Sequence, residues 1–144
     1  MTRKGKGIFE FSEELDRALL CAYRRVVSTY PYEIKGMRHI AHLIKGESAP
    51  RFFVSPERAR QVMYMMKRGK LPSKTLKERR KMYDEIGRRV TMMQSCHPEK
   101  SFTKIVELIV ENPAPSFYMT EQSILKRLYR IIHHNVYRNQ QRNK

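Results

Sequence analysis

The block Ala49-Pro50-Arg51-Phe52-Phe53-Val54-Ser55 recurs in edited form as Ala114-Pro115-Ser116-Phe117-Tyr118-Met119-Thr120, an offset of 65 residues. Ala, Pro and the first Phe are identical, and the changes of Phe to Tyr, Val to Met and Ser to Thr are like for like. The surroundings keep the register. Ile40, Leu43 and Ile44 fall on Ile105, Leu108 and Ile109, and Tyr64 falls on Tyr129. Arg24-Arg25-Val26 matches Arg88-Arg89-Val90 at an offset of 64, so one residue is gained between the matched segments. A unit written twice restricts the chain to folds in which one small assembly of elements serves in two places.

Those elements read as helices. Ser12 is a candidate N-cap, and Glu13, Glu14 and Asp16 put negative charge in a first turn, where the helix dipole favours it. Leu15, Ala18, Leu19, Ala22 and Val26 follow at helical spacing, with Pro31 as the stop. A shorter helix is expected from Lys35 to Lys45, with Met37, Ile40, Ala41 and Ile44 inward and Gly46 behind it. After the repeated loop, Ser55 and Pro56 open a third helix to Arg68, with Gly69 closing it.

Leu71-Pro72-Ser73 marks the boundary between halves, and Thr75 with Glu78 has capping-box spacing before a long helix striped by Leu76, Tyr83, Ile86, Val90 and Met93. A short helix through Phe102, Ile105 and Ile109 follows. The second loop then leads into a last helix from Glu121 to Tyr137. The expectation is an all-α protein of six helices: a tandem duplication of a three-helix, helix-turn-helix-like unit over 8–70 and 71–138, with flexible basic tails at 1–7 and 139–144. Phe52 and Phe117 are expected to plug the gaps between helices, which makes the repeated loop a structural connector.

Charge narrows the function. Lys and Arg number 30 against 14 Asp and Glu, giving +16 and a pI near 10.2. Residues 1–70 and 71–144 each hold 15 basic and 7 acidic side chains, so each half carries +8 and the surplus is no mere basic tail. Such a surplus implies a polyanionic partner, nucleic acid before others. No long apolar run and no signal-peptide pattern is present, which predicts a cytoplasmic protein with no membrane partner. The absence of Trp argues further against a membrane-surface helix. Cys21 and Cys96 offer no disulfide framework.

Catalysis finds little support. His39 and His42 stand at i, i+3, and Cys96-His97 with His133-His134 form a second Cys/His group, but neither completes a ligand set. Gly-rich phosphate loops, nucleophile elbows and paired carboxylates are missing from the sequence, so neither a catalytic residue, nor a metal, nor a cofactor is expected.

In outline each half resembles trihelical helix-turn-helix modules, whose third helix enters the major groove. Those modules use a turn of about three to four residues before that helix, whereas here the whole stretch from Gly46 to Ser55 intervenes. The expected nucleic-acid contacts are of two kinds. Arg24, Arg25, Arg88 and Arg89, on the long first helices, are placed to hold phosphates. Arg58, Arg60, Gln61, Tyr64, Lys67 and Arg68, with Lys126, Arg127, Arg130, His133 and His134 in the second half, are placed on outer faces that combine phosphate-seeking charge with groups able to meet base edges, the base-reading role falling to Arg58, Gln61, Tyr64, Lys126, Arg127 and Arg130. Duplex DNA is favoured over RNA because no sheet bearing stacking aromatics is foreseen. A regulator or a mobile-element accessory protein would suit such a chain, and it leaves room for homo-oligomers. The alternatives are an assembly module that binds an acidic protein partner and an RNA-binding protein.

Overall fold

The structure, a computed structural model, describes residues 11–71 and 75–142, with side chains described as far as residue 134. It is all-helical. The helices are α1 (Ser12–Thr29), α2 (Met37–Lys45), α3 (Pro56–Lys67), α4 (Lys77–Cys96), α5 (Phe102–Glu111) and α6 (Glu121–Arg142). Among the described residues there is no strand; an isolated antiparallel bridge joins Ala49 to Ala114. No described helix is long and apolar enough to cross a membrane.

The local signals act largely as their chemistry predicts. The Ser55 hydroxyl accepts the Arg58 N–H at 3.1 Å, with Pro56 at the first helical position. The Thr120 hydroxyl accepts the Ser123 N–H at 3.1 Å. Gly69 ends α3 at φ 66, a left-handed conformation that suits glycine. Some boundaries differ. α2 begins at Met37 rather than Lys35, with Gly36 as its N-cap. The α4 capping box does not form: Leu76 is the N-cap, makes no side-chain cap and is 71% exposed rather than part of the apolar stripe. α6 runs to Arg142, so residues 139–142 are helix and not tail. The expected tail at 1–7, residues 143–144 and the Pro72-Ser73 boundary lie outside the described residues.

The larger difference is in which helices pack together. The helices divide into one compact unit of Ser12–Glu47 with Met119–Lys144, and another that contains Ser48–Tyr118. In the first, α1, α2 and α6 pack pairwise around Leu19, Ala22, Val26, Ile40, Ala41, Ile44, Ile124 and Leu128. In the second, α3, α4 and α5 pack around Ala59, Val62, Met82, Tyr83, Ile86, Val90, Ile105, Val106, Ile109 and Val110. The division expected at Leu71 is therefore not the one the packing follows. Each unit pairs a long and a short helix from one half with the third helix of the other. The cause is the loop before each third helix, which is long enough to carry that helix away from its sequence neighbours.

The loop segments Ala49–Ser55 and Ala114–Tyr118 belong to the unit Ser48–Tyr118. The Ala49 N–H donates to the Ala114 carbonyl at 2.9 Å, and the Ala114 N–H donates back to Ala49 at 2.9 Å. Phe52 stacks on Tyr118 with ring centres 6.0 Å apart, and Phe53 stacks on Phe117 at 6.2 Å, so the contacts come in pairs related by the 65-residue offset. Phe52 and Phe117 are 1% and 6% exposed, in keeping with a connecting role. The loops part after these rings. In the first, the Val54 N–H donates to the Phe52 carbonyl at 2.9 Å. In the second, Tyr118 takes φ 55, rare for a bulky side chain, with its N–H on the Ser116 hydroxyl at 2.9 Å. Arg51 stands where Ser116 does and has no such hydroxyl.

Phe52→Ala and Phe117→Ala should each cost about 3–5 kcal/mol of stability in denaturant melts, the usual loss for a buried Phe. Because Ser48–Tyr118 is continuous in sequence and has its own core, that fragment should show cooperative thermal unfolding alone. A fragment ending at Leu71 should not, since it separates α3 from α4 and α5.

Candidate nucleic-acid interface

α3 turns one face inward through Ala59 and Val62 and presents the opposite face to solvent. That outer face carries Arg58, Gln61, Tyr64, Lys67 and Arg68, all exposed, with Glu57 as its acid. Arg58 donates to the Gln61 side-chain oxygen at 3.4 Å, and the Tyr64 ring, 55% exposed, leans on Phe102 with centres 5.3 Å apart. Arg60, four residues before Tyr64 and seven before Lys67, lies along the same side and is half-buried. The face thus offers forked donors, an amide and an aromatic edge along one helix side, a set able to meet both phosphates and base edges.

Just beyond α3 lies a basic run that apolar periodicity does not reveal. From Lys67 to Lys81 there are eight Lys and Arg against Glu78. Lys70, Lys77, Arg80 and Lys81 are exposed and Arg79 is half-buried; Lys81 pairs with Glu78 at 3.6 Å. The signal is charge density along the chain, which a search for apolar stripes passes over. Four of these bases fall in the opening turns of α4, where the helix dipole disfavours positive charge.

The equivalent face in the other unit is weaker. On α6, Lys126, Arg130, His133 and His134 are exposed, and Tyr129 is 55% exposed, matching Tyr64. Arg127, expected on this outer face, is instead only 17% exposed and donates to Asp16 at 2.6 Å and to the Ser12 hydroxyl at 3.3 Å. It follows Ile124 and precedes Leu128 on the flank facing α1, where Asp16 stands. Arg130 also reaches Asp16, at 3.4 Å.

The Arg-Arg pairs are largely tied into the fold. Arg24 is exposed, while Arg25 pairs with Glu47 at 3.2 Å. Arg88 and Arg89 reach Glu85 at 2.6 and 2.8 Å. Arg89 also donates to the Pro113 carbonyl at 3.0 Å and lies over the Phe52 ring, 5.0 Å from its centre. The Arg88 hydrogen bond, helped by Arg89 and opposed by partial burial, holds the Glu85 carboxyl below its ordinary 4.5. The histidines of α2 act separately: the His39 ring accepts the Lys35 N–H at 3.1 Å, and His42 meets Glu121 at 2.7 Å.

A groove of about 570 Å³ on the first unit is lined by Glu13, Asp16, Arg17, Leu20, Arg130, Ile131 and His134. Both signs of charge face it, so it selects neither an anion nor a cation. No protein-family model, no curated protein and no solved structure matches this chain.

Glu85 gives a pH dependence whose sign is fixed. Its pKa is lowered in the folded state, so the stability it adds is fully present above 4.5 and is lost as pH falls through the lowered value. Glu85→Gln should therefore melt below the wild type at pH 7, and the gap should close as the pH drops under 4.5.

Proposed function

We propose that this protein binds nucleic acid, with duplex DNA favoured over RNA, through the outer face of α3 and the basic run that follows it. The observation that supports this most directly is the company of Arg58, Gln61, Lys67, Arg68, Lys70, Lys77 and Lys81, all exposed in one compact unit. Residues 48–118 hold 15 basic and 7 acidic side chains, or +8. Placing bases at the start of α4 costs about 0.3–1 kcal/mol for each well-aligned charge. A bound polyphosphate reverses the sign of that cost, because each neutralised phosphate also releases counterions.

The same reading takes the chain as a duplication whose two copies have exchanged third helices. It is supported by the 65-residue offset together with the paired Ala49–Ala114 and Phe–aromatic contacts. The copies have then diverged in surface: Arg58 and Gln61 face Ser123 and Lys126 in the alignment. Binding is assigned chiefly to the copy of the third helix that lies in the Ser48–Tyr118 unit. Arg89 and Arg127 become structural arginines, Arg24 remains exposed and open to a phosphate, and Lys126, Arg130, His133 and His134 supply a secondary basic face. An acidic protein partner would use the same charges but would have no use for the Arg58–Gln61 pair.

Titration on a selected duplex and on a scrambled one, at several salt concentrations, tests the assignment. Arg58→Ala and Gln61→Ala should each cost about 1–3 kcal/mol on the selected site and much less on the scrambled one. Lys77→Ala and Lys81→Ala should weaken both equally and flatten the slope of log K against log salt by roughly 0.9 for each phosphate that is no longer neutralised. Arg127→Ala should lower the melting temperature instead. Competition by polyglutamate as effective as that by DNA would replace the reading with binding to an acidic protein.

A further inference from the structure

The connection between α1 and α2 holds Tyr30-Pro31-Tyr32. Tyr32 is 94% exposed, the most exposed large apolar side chain among the described residues, and Tyr30 is 42% exposed. The segment is built rather than loose. The Tyr30 N–H donates to the Val26 carbonyl at 3.0 Å, and Pro31 fixes its own φ. At the other end the Lys35 N–H is held by the His39 ring at 3.1 Å. Gly36 stands at φ 127, a conformation that side-chain-bearing residues rarely adopt, and its carbonyl accepts the Ile40 N–H at 3.1 Å. A ring carried on a tied loop loses little entropy when a ligand stacks on it. Lys35 and Arg38 are exposed nearby in sequence, against Glu33. The corresponding connection between α4 and α5, His97 to Ser101, has no Phe, Tyr or Trp and places His97 where Tyr32 stands at the 65-residue offset, so the exposed tyrosine belongs to one unit only.

We propose that Tyr32 is a stacking platform for an unpaired nucleobase, with Lys35 and Arg38 holding the phosphates that flank it. An exposed aromatic ring with basic side chains close by in sequence supplies both parts of the arrangement by which proteins hold single strands without reading sequence, since every base has a π-face. A base inside a duplex has both faces covered by its neighbours, so the platform selects unpaired nucleotides such as those of a single strand or a frayed end. The proposal shares only its ligand class with the reading above and uses a different surface.

The chain has no tryptophan, so Tyr32→Trp in the full-length protein places one reporter at the site. Titration with an oligothymidylate and with a blunt duplex of equal length, in the same salt, should quench the indole strongly on the single strand and little on the duplex. Tyr32→Ala should weaken oligothymidylate binding about tenfold or more while duplex affinity stays within about twofold, and Tyr32→Phe should keep both. Absence of quenching on the single strand, or an unchanged oligothymidylate affinity in Tyr32→Ala, overturns the platform whatever the duplex does. Duplex binding in the same titration separately decides the α3 reading: failure there with quenching on the single strand leaves the platform standing.

Discussion

The structure depends on two hydrogen bonds that Ala49 and Ala114 exchange. A loop that passes through a core must satisfy its own backbone donors and acceptors, because a buried amide without a partner costs about as much as a lost hydrogen bond. Each Ala here supplies what the other lacks, both at 2.9 Å. Alanine suits the position, since its small side chain lets two backbones approach while leaving the next residues free to bring in rings. The following proline biases each Ala to extended geometry, which is the geometry a bridge needs. The Phe52 N–H then reaches the Val110 carbonyl at 3.0 Å, tying the loop to the end of α5. From that anchored point α3 starts, capped by Ser55.

This explains which parts of the fold were legible in the sequence. Helices α1 to α6 could be read because a stripe such as Ile40, Ala41 and Ile44 is a local property of 3.6-residue periodicity. Partner choice is not local. α2 and α5 carry closely similar apolar faces, Ile40 and Ile44 against Ile105 and Ile109, so a third helix finds an acceptable groove on either. Periodicity states that a face must be covered and is silent on what covers it. The length of the stretch from Gly46 to Ser55 was the available sign that the third helix leaves its neighbours. The left-handed Tyr118 carried no such sign, because Tyr has no intrinsic preference for that conformation, in which its N–H donates to the Ser116 hydroxyl.

The candidate site was legible in kind but not in detail. A surplus of positive charge is visible in any count, whereas the number of bases still available to a ligand depends on pairings made across long sequence separations. Arg127 meets Asp16 across 111 residues, and Arg89 meets the Pro113 carbonyl across 24. Neither pairing leaves a mark within a helical window. α3 escapes such capture because its outer face holds Glu57 as its acid and looks away from Ala59 and Val62. Two helices that begin from like loops therefore present unlike surfaces, and sequence symmetry overstates the symmetry of the surface.

The start of α4 sharpens that contrast. In α1, α3 and α6 the acids Glu13, Glu14, Glu57 and Glu121 occupy first turns as the dipole favours, whereas α2 and α5 have no acid there and carry Arg38 and Lys104. α4 has Glu78, yet it surrounds that acid with Lys77, Arg79, Arg80 and Lys81, and its N-cap Leu76 makes no side-chain hydrogen bond. Both choices leave positive potential where the helix dipole disfavours it, with Lys81 paired to Glu78. Stability alone would favour Ser or Asp at the cap and acids after it. Local positive charge and uncapped N–H groups acquire a favourable role only when an anion arrives from outside, and the neighbouring Lys67, Arg68 and Lys70 extend the same field along the chain. The cost is small for each group and adds over several, so the sequence departs from its own stability optimum at the place where the proposed ligand would sit.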